Sequence, residues 1–340
     1  MIIAIQPDNY GVGDASSPLW KKFLESSGHE VRWVDVRRAD ILEQIKGCDG
    51  FMWRHAHFDE MHLIAKRLLP VIEKELGLIV YPDQKTSWHY DDKITQAFLF
   101  DALDIPTPKT WVWFNRKDAH EWATQTNYPV VLKLFSGAGS SNVKLIQSKD
   151  EAHQWINRLF GTGTNSPNEN DFSLKSRLMN ALAIIADKKS HHEIHHGYAY
   201  FQEFLPDNDY DTRVTIIGNR AFAFRRFNRP NDFRASGSGI IDYNTEHIDE
   251  KFIRLAFTTA NQLHTQSCAI DGVWKGGTAT TVEVSYTYVS KVIFDCPGHW
   301  ELNGHPETGD LIWIEGHMNP EEAQIIDYLT HQKLAKLCQT

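Results

Sequence analysis

Cysteine is scarce in this chain. Its four copies, Cys48, Cys268, Cys296 and Cys338, lie too far apart for any Cys-x-x-Cys pair, which excludes a zinc-thiolate site and a disulfide framework and points to reduced thiols in a cytoplasm. Long apolar runs are missing too. The opening run Met1–Ile5 stops at Gln6 with no basic residue ahead of it, so it reads as a buried strand and not as a signal peptide. No later stretch approaches the ~20 apolar residues of a membrane span. Positive charge is also in deficit, with 35 Lys and Arg against 44 Asp and Glu, a net −9. An acidic surface repels phosphate backbones and anionic headgroups, so no nucleic acid or membrane partner is expected.

Several signatures of familiar chemistry are likewise absent. No Gly-x-Gly-x-x-Gly follows the first strand, no Gly-Lys-Ser or Gly-Lys-Thr opens a helix, and no Ser-His-Asp or Cys-His arrangement stands out. A dinucleotide turn, a Walker loop and a side-chain nucleophile are therefore set aside. What is present is the balance of a globular protein: 340 residues, 41% apolar and 23% charged, enough for two or three domains at roughly 100–200 residues each.

The opening segment alternates strand-like and helix-like pieces: Ile2–Ile5, Ser17–Ser27, Gly28–Asp35, Ile41–Lys46, Gly50–Trp53, a long helical pattern over Glu60–Leu76, and Leu78–Tyr81. That alternation predicts a small parallel α/β sheet. A helix is expected over Tyr90–Leu103, then a strand Thr110–Phe114, a helix Ala119–Thr126 and strands Val130–Leu134 and Val143–Ile146. Residues 161–197 read as a polar insertion with a helical stretch, Leu174–Asp187. Tyr198–Leu205, Thr212–Ile217 and Arg220–Phe227 read as antiparallel strands, the last pair joined at Gly218-Asn219. A helix Asp249–Thr265 and strands Cys268–Val273 and Thr280–Ser285 follow. His191-His-Glu-Ile-His-His196 is expected to face solvent, and Trp88 and His89 to pack a linker.

The most informative stretch is Val130–Val143, a buried strand presenting Lys133 ahead of Ser136-Gly-Ala-Gly-Ser-Ser141. Small residues let backbone amides approach a phosphate chain, and a lysine supplies a point charge for it. Lys93 precedes it, Gln202-Glu-Phe-Leu205 and Asp211-Thr-Arg213 follow, and Asp271 with Glu283-Val-Ser285 comes near the end. In this order and spacing the chain resembles the ATP-grasp superfamily over roughly Pro82 to Ser285, particularly the branch with D-alanine:D-alanine ligase and the ribosomal-protein glutamate ligases. The resemblance implies an α/β (α+β) chain with the ATP-grasp fold and an N-terminal parallel pre-ATP-grasp domain. It divides the chain at 1–88, 89–204 and 205–340.

Carried over residue by residue, the resemblance implies that Lys93 and Lys133 hold the phosphates of ATP. Gly137, Ala138, Gly139, Ser140 and Ser141 would form the flap over them. Gln202, Glu203, Phe204 and Leu205 would form the hinge where adenine lies, and Asp211 would stand near ribose. Arg213, Arg225 and Arg234 are the candidate catalytic arginines, in a segment Arg213–Arg234 with six Arg and one Asp. Arg225 and Arg226 face opposite ways on a strand, so only one of that pair can serve. Asp271, Glu283 and Ser285 match the Mg²⁺ positions, Ser285 standing where the family usually has Asn. Residues 283 and 285 share one strand face, and two carboxylates with a neutral oxygen suit that cation.

The implied reaction is phosphorylation of a carboxylate to an acyl phosphate, then attack by an amine to give an amide, ADP and phosphate. The tail from Val292 to Gly316 resembles ATP-grasp proteins of bacterial surface-polysaccharide gene clusters. That points to a small-molecule or saccharide carboxylate, with Trp300 or Trp313 as a stacking surface. A small-molecule kinase and a catalytically impaired nucleotide-binding module are the alternatives. A homodimer is compatible with the sequence.

Overall fold

The computed structural model describes residues 1–8, 15–137, 142–167, 194–230 and 232–337. The expected helix Leu174–Asp187, the flap residues Ala138, Gly139, Ser140 and Ser141, and His191 and His192 lie outside the described residues. The chain divides into two units, Met1–Tyr90 together with Asn208–Thr340, and Asp91–Asp207.

In the first unit, β1 (Ile2–Ile5), β2 (Glu30–Trp33), β3 (Gly50–Met52) and β4 (Ile79–Tyr81) make the parallel sheet the alternation predicts, in the order β2-β1-β3-β4. Helices α1 (Ser17–Ser26), α2 (Ile41–Gln44) and α3 (Asp59–Pro70) separate its strands. The helix expected through Leu76 changes character at Pro70, whose missing amide hydrogen breaks the regular ladder, and Val71–Glu75 winds as a wider π turn. A short α4 (Gln84–Ser87) is capped by the Asp83 carboxylate, which accepts the Thr86 amide.

The second unit holds α5 (Lys93–Ala102), β5 (Thr110–Trp113), α6 (Arg116–Gln125), β6 (Val130–Lys133), β7 (Val143–Ile146), α7 (Lys149–Leu159) and β8 (Ala199–Glu203). Its sheet runs β5-β8-β6-β7, antiparallel throughout. Helix α7 was not anticipated, although Ala152, Trp155, Ile156 and Leu159 form its buried stripe. The β8 strand was read as a neighbour of the strands that follow it; it inserts instead between β5 and β6.

Returning to the first unit, β9 (Tyr210–Ile217), β10 (Arg220–Phe227), β11 (Ile241–Asp242), α8 (Glu250–Leu263), β12 (Ser267–Lys275), β13 (Thr278–Ser285), α9 (Ser290–Phe294), β14 (Gly298–Asn303), β15 (Asp310–Glu315) and α10 (Pro320–Leu337) complete the chain. The sheet order is β13-β12-β9-β10-β14-β15, with β11 on β10. Ile325 and Tyr328 of α10 pack with Ile3, Ile5, Trp20, Leu24 and Met52, so the C-terminal helix closes one face of the N-terminal sheet. That shared core is why residues so distant in sequence form one unit.

Candidate active site

In the first unit Asp211, Arg213, Arg226, Asp271 and Glu283 share one face of the sheet. Directly opposed residues share a face, and the register opposes Glu283 to Asp271, Asp271 to Arg213, and Asp211 to Arg226. Arg213 binds Asp271 side-on, Nε to Oδ1 at 2.6 Å and Nη2 to Oδ2 at 2.8 Å. Arg226 does the same to Asp211, at 2.8 and 2.5 Å, and its Nη2 also reaches Asp271 Oδ2 at 2.7 Å. The result is a ladder Asp211, Arg226, Asp271, Arg213 whose charges cancel. Burial alone would raise the Asp271 carboxyl, but the two guanidiniums outweigh it and hold the group well below the usual carboxylate range. Burial likewise opposes the charge on Arg226, and Asp271 and Asp211 overcome it, keeping the guanidinium firmly protonated.

A bulge at Asp271/Gly272 lies within this ladder, where it re-aims the strand beside the carboxylates. Gly272 is required there: a Cβ would stand 2.6 Å from Phe252 Cδ1 of α8. Ser285, two residues beyond Glu283, donates its hydroxyl to the Thr287 carbonyl at 2.9 Å, which leaves the oxygen's lone pairs to accept or ligate. Asp271, Glu283 and Ser285 share one face and are hard oxygen donors of the kind Mg²⁺ takes, with the Asp271 oxygens already engaged by Arg213 and Arg226.

In the second unit, Asp92 caps α5 by accepting the Thr95 amide, and Lys93 is the first residue of the helix. Its amide donates to the Phe135 carbonyl at 2.8 Å and its Nζ to the Gly137 carbonyl at 3.1 Å. Asp91, in the left-handed region at φ 50°, accepts the Gly137 amide at 2.7 Å. Lys133 ends β6 opposite Val143, and both lysines are only 6% exposed. Lys93 has the Asp91 carboxylate 3.9 Å away, and both ammonium groups are point charges of the kind that pair with a polyanion. Gln202 spends a side-chain donor on Thr110 at 3.0 Å, across the register pair, and Glu203 accepts the Lys109 amide at 3.0 Å. Phe204 and Leu205 follow β8 half-buried.

No family model matches the chain. Among solved structures it is similar to a RimK domain ATP-grasp protein from Sphaerobacter thermophilus, with TM-score 0.54 and 16% identity over 96% of this chain and 98% of that one. D-alanine–D-alanine ligase from Bacillus anthracis gives TM-score 0.55 and 14% identity over 98% of both chains. The ATP-grasp ligase PsnB, complexed with minimal precursor, Mg and ADP, gives TM-score 0.56 and 13% identity over 98% of both. The chain has the ATP-grasp fold. A curated relative, the alpha-aminoadipate–LysW ligase LysX of Saccharolobus solfataricus, is 28% identical over 83 residues, which span 24% of this chain and 30% of that protein.

Several expectations need correction in place. Arg225 was expected at the site, but it stands on the opposite face, where it pairs with Asp242 and lies 4.6 Å from the Tyr210 ring centroid. Arg226 takes the position on the charged face. Arg234 is engaged with Asp232 at 2.6 Å in the loop after β10. Trp300 and Trp313 were expected near an acceptor. They pack edge-on to each other, 4.7 Å between centroids, and Trp300 opposes Ala221 of β10. Residues 221 and 226 are about 17 Å apart on a strand at roughly 3.4 Å per residue, and they face opposite ways, so neither tryptophan borders the ladder. Last, His195 does not face solvent. It is 2% exposed while Ile194 and His196 are exposed, an alternation set by its backbone bridge to Thr164. Composition marked the tract as polar; only the non-local bridge reveals which histidine turns inward.

Proposed function

We propose that the protein is an ATP-dependent carboxylate–amine ligase that makes an amide through an acyl phosphate, releasing ADP and phosphate. The observation that carries this reading is the face bearing Asp271, Glu283 and Ser285, with Arg213 and Arg226 locked beside them. Mg²⁺ bound to Asp271, Glu283 and Ser285 would neutralise phosphate charge. A carboxylate oxygen attacks the γ-phosphorus, the bond to the β-phosphate oxygen breaks, and ADP leaves. An amine nitrogen then attacks the acyl carbon, phosphate departs with the C–O bond, and the amine proton passes to solvent. Lys93 and Lys133 would hold phosphates of ATP, and Arg213 would offset charge on the substrate side.

The acceptor class that accompanies this reading is a small-molecule, sugar or amino acid carboxylate, in a cytoplasmic setting such as surface-polysaccharide synthesis. Trp300 and Trp313 stand away from the charged ladder and lend this acceptor class no support. Hydroxylamine tests the intermediate: it should trap the acyl phosphate as a hydroxamate only when Mg·ATP and a carboxylate are both present. No hydroxamate with any carboxylate that supports ADP release would refute the reading. Ser285, standing where the resembled family usually has Asn, supports the alternative of a catalytically impaired nucleotide-binding module. That alternative predicts ATP binding without acceptor-dependent turnover.

A further inference from the structure

We propose that His195 is a positioning residue for Lys93, acting through Tyr198 and the turn Phe135–Gly137. The proposal rests on the reading of Lys93 as a phosphate ligand. The His195 Nδ1 and Tyr198 hydroxyl are 2.9 Å apart, and the Phe135 amide donates to the same hydroxyl oxygen at 2.9 Å. The phenol oxygen accepts from the amide and keeps its own hydrogen to donate to Nδ1, an arrangement in which the imidazole carries its proton on Nε2.

The Phe135 and Gly137 carbonyls are the groups that accept the Lys93 amide and its Nζ. One short turn therefore fixes both the backbone and the ammonium of Lys93, and the Tyr198–His195 pair fixes the turn. His195 is itself tied by two backbone hydrogen bonds with Thr164, at 2.9 and 3.1 Å. Burial, helped by the Lys93 charge, lowers the imidazole to about 4, so near neutral pH it stays uncharged and Nδ1 remains an acceptor. Protonation would remove that acceptor and add a second cation beside Lys93.

The test measures Mg·ATP dissociation constants by calorimetry, with melting temperatures in parallel, for the full chain and for His195→Phe, His195→Asn, Tyr198→Phe and Lys93→Ala. Loss of one buried hydrogen bond in the network should weaken ATP binding about tenfold in His195→Phe and in Tyr198→Phe. The double variant should be no worse than either single one. His195→Asn, whose amide oxygen sits where Nδ1 does and can accept the Tyr198 hydrogen, should recover most of the affinity even where its melting temperature matches that of His195→Phe. The proposal is overturned if Asn binds ATP no better than Phe, or if both bind as tightly as the parent while Lys93→Ala does not. If Lys93→Ala also binds as tightly as the parent, the phosphate reading falls and this proposal with it.

Discussion

Arg213 grips Asp271 with two parallel hydrogen bonds, at 2.6 and 2.8 Å, across the register pair of β9 and β12. The pair is mostly buried, and Arg226 shares the same carboxylate at 2.7 Å. Removing the carboxylate leaves two guanidiniums facing a buried gap. Asp271→Ala should therefore cost about 3–5 kcal/mol in denaturant unfolding. Arg213→Met with Asp271→Leu in one chain should cost less than the sum of the two single changes, because no charge is left unpaired. Strict additivity in that double-mutant cycle would contradict the ladder.

The bulge beside the ladder gives a steric prediction. Gly272→Ala places a Cβ 2.6 Å from Phe252 Cδ1, an overlap that should cost about 1–3 kcal/mol. Shortening the obstacle with Phe252→Leu should recover part of that loss. A Gly272→Ala variant with unchanged unfolding midpoint would show that the α8 contact is not as tight as described.

Two buried histidines contribute to the acid side of the stability profile. Burial lowers His55 to about 3, with His62 adding to it, and His195 to about 4, both from an ordinary value of 6.5. The unfolded chain takes up these protons as pH falls through 6.5, and the folded chain resists until its lower values are reached. Both groups therefore destabilise the fold progressively from pH 6.5 down to between 4 and 3, and have no such effect above 6.5. His55 packs against Trp53, Tyr90 and Tyr286, so His55→Phe should fill the space and flatten the decline in urea midpoint between pH 7 and 4. An unchanged slope would argue against a neutral buried imidazole.

Trp313 is the prediction of no effect. It is 37% exposed on the edge strand β15, with its ring against Gly298. Trp313→Ser should leave kcat/KM for the acceptor unchanged and alter solubility or stability alone. A selective rise in acceptor KM would restore the tryptophan to the acceptor site.

Much of this was legible in the sequence for a local reason. The four parallel strands, the β9–β10 hairpin at Gly218-Asn219 and the strand pair carrying Asp271 and Glu283 all follow from periodicity and turn residues within short windows. The elements that were misread depend on distant partners. β8 finds its place only through β5 and β6, and α10 has meaning only against Ile3, Ile5 and Trp20. Among the candidate residues, Lys93, Lys133, Asp271 and Glu283 came from their order along the chain. Sequence alternation separated Arg225 from Arg226, but choosing between them needed the pairing of Arg226 with Asp211. His195 gave no local signal, since its inward turn is set by Thr164.

The central claim is ligation through an acyl phosphate, and product analysis on the full chain tests it most directly. With Mg·ATP and a panel of sugar acids, amino acids and amines, the account predicts ADP and phosphate in equal amounts, matched by a new amide, only when carboxylate and amine are both present. Release of AMP and pyrophosphate, or ADP with a stable phosphorylated product and no amine requirement, would contradict it.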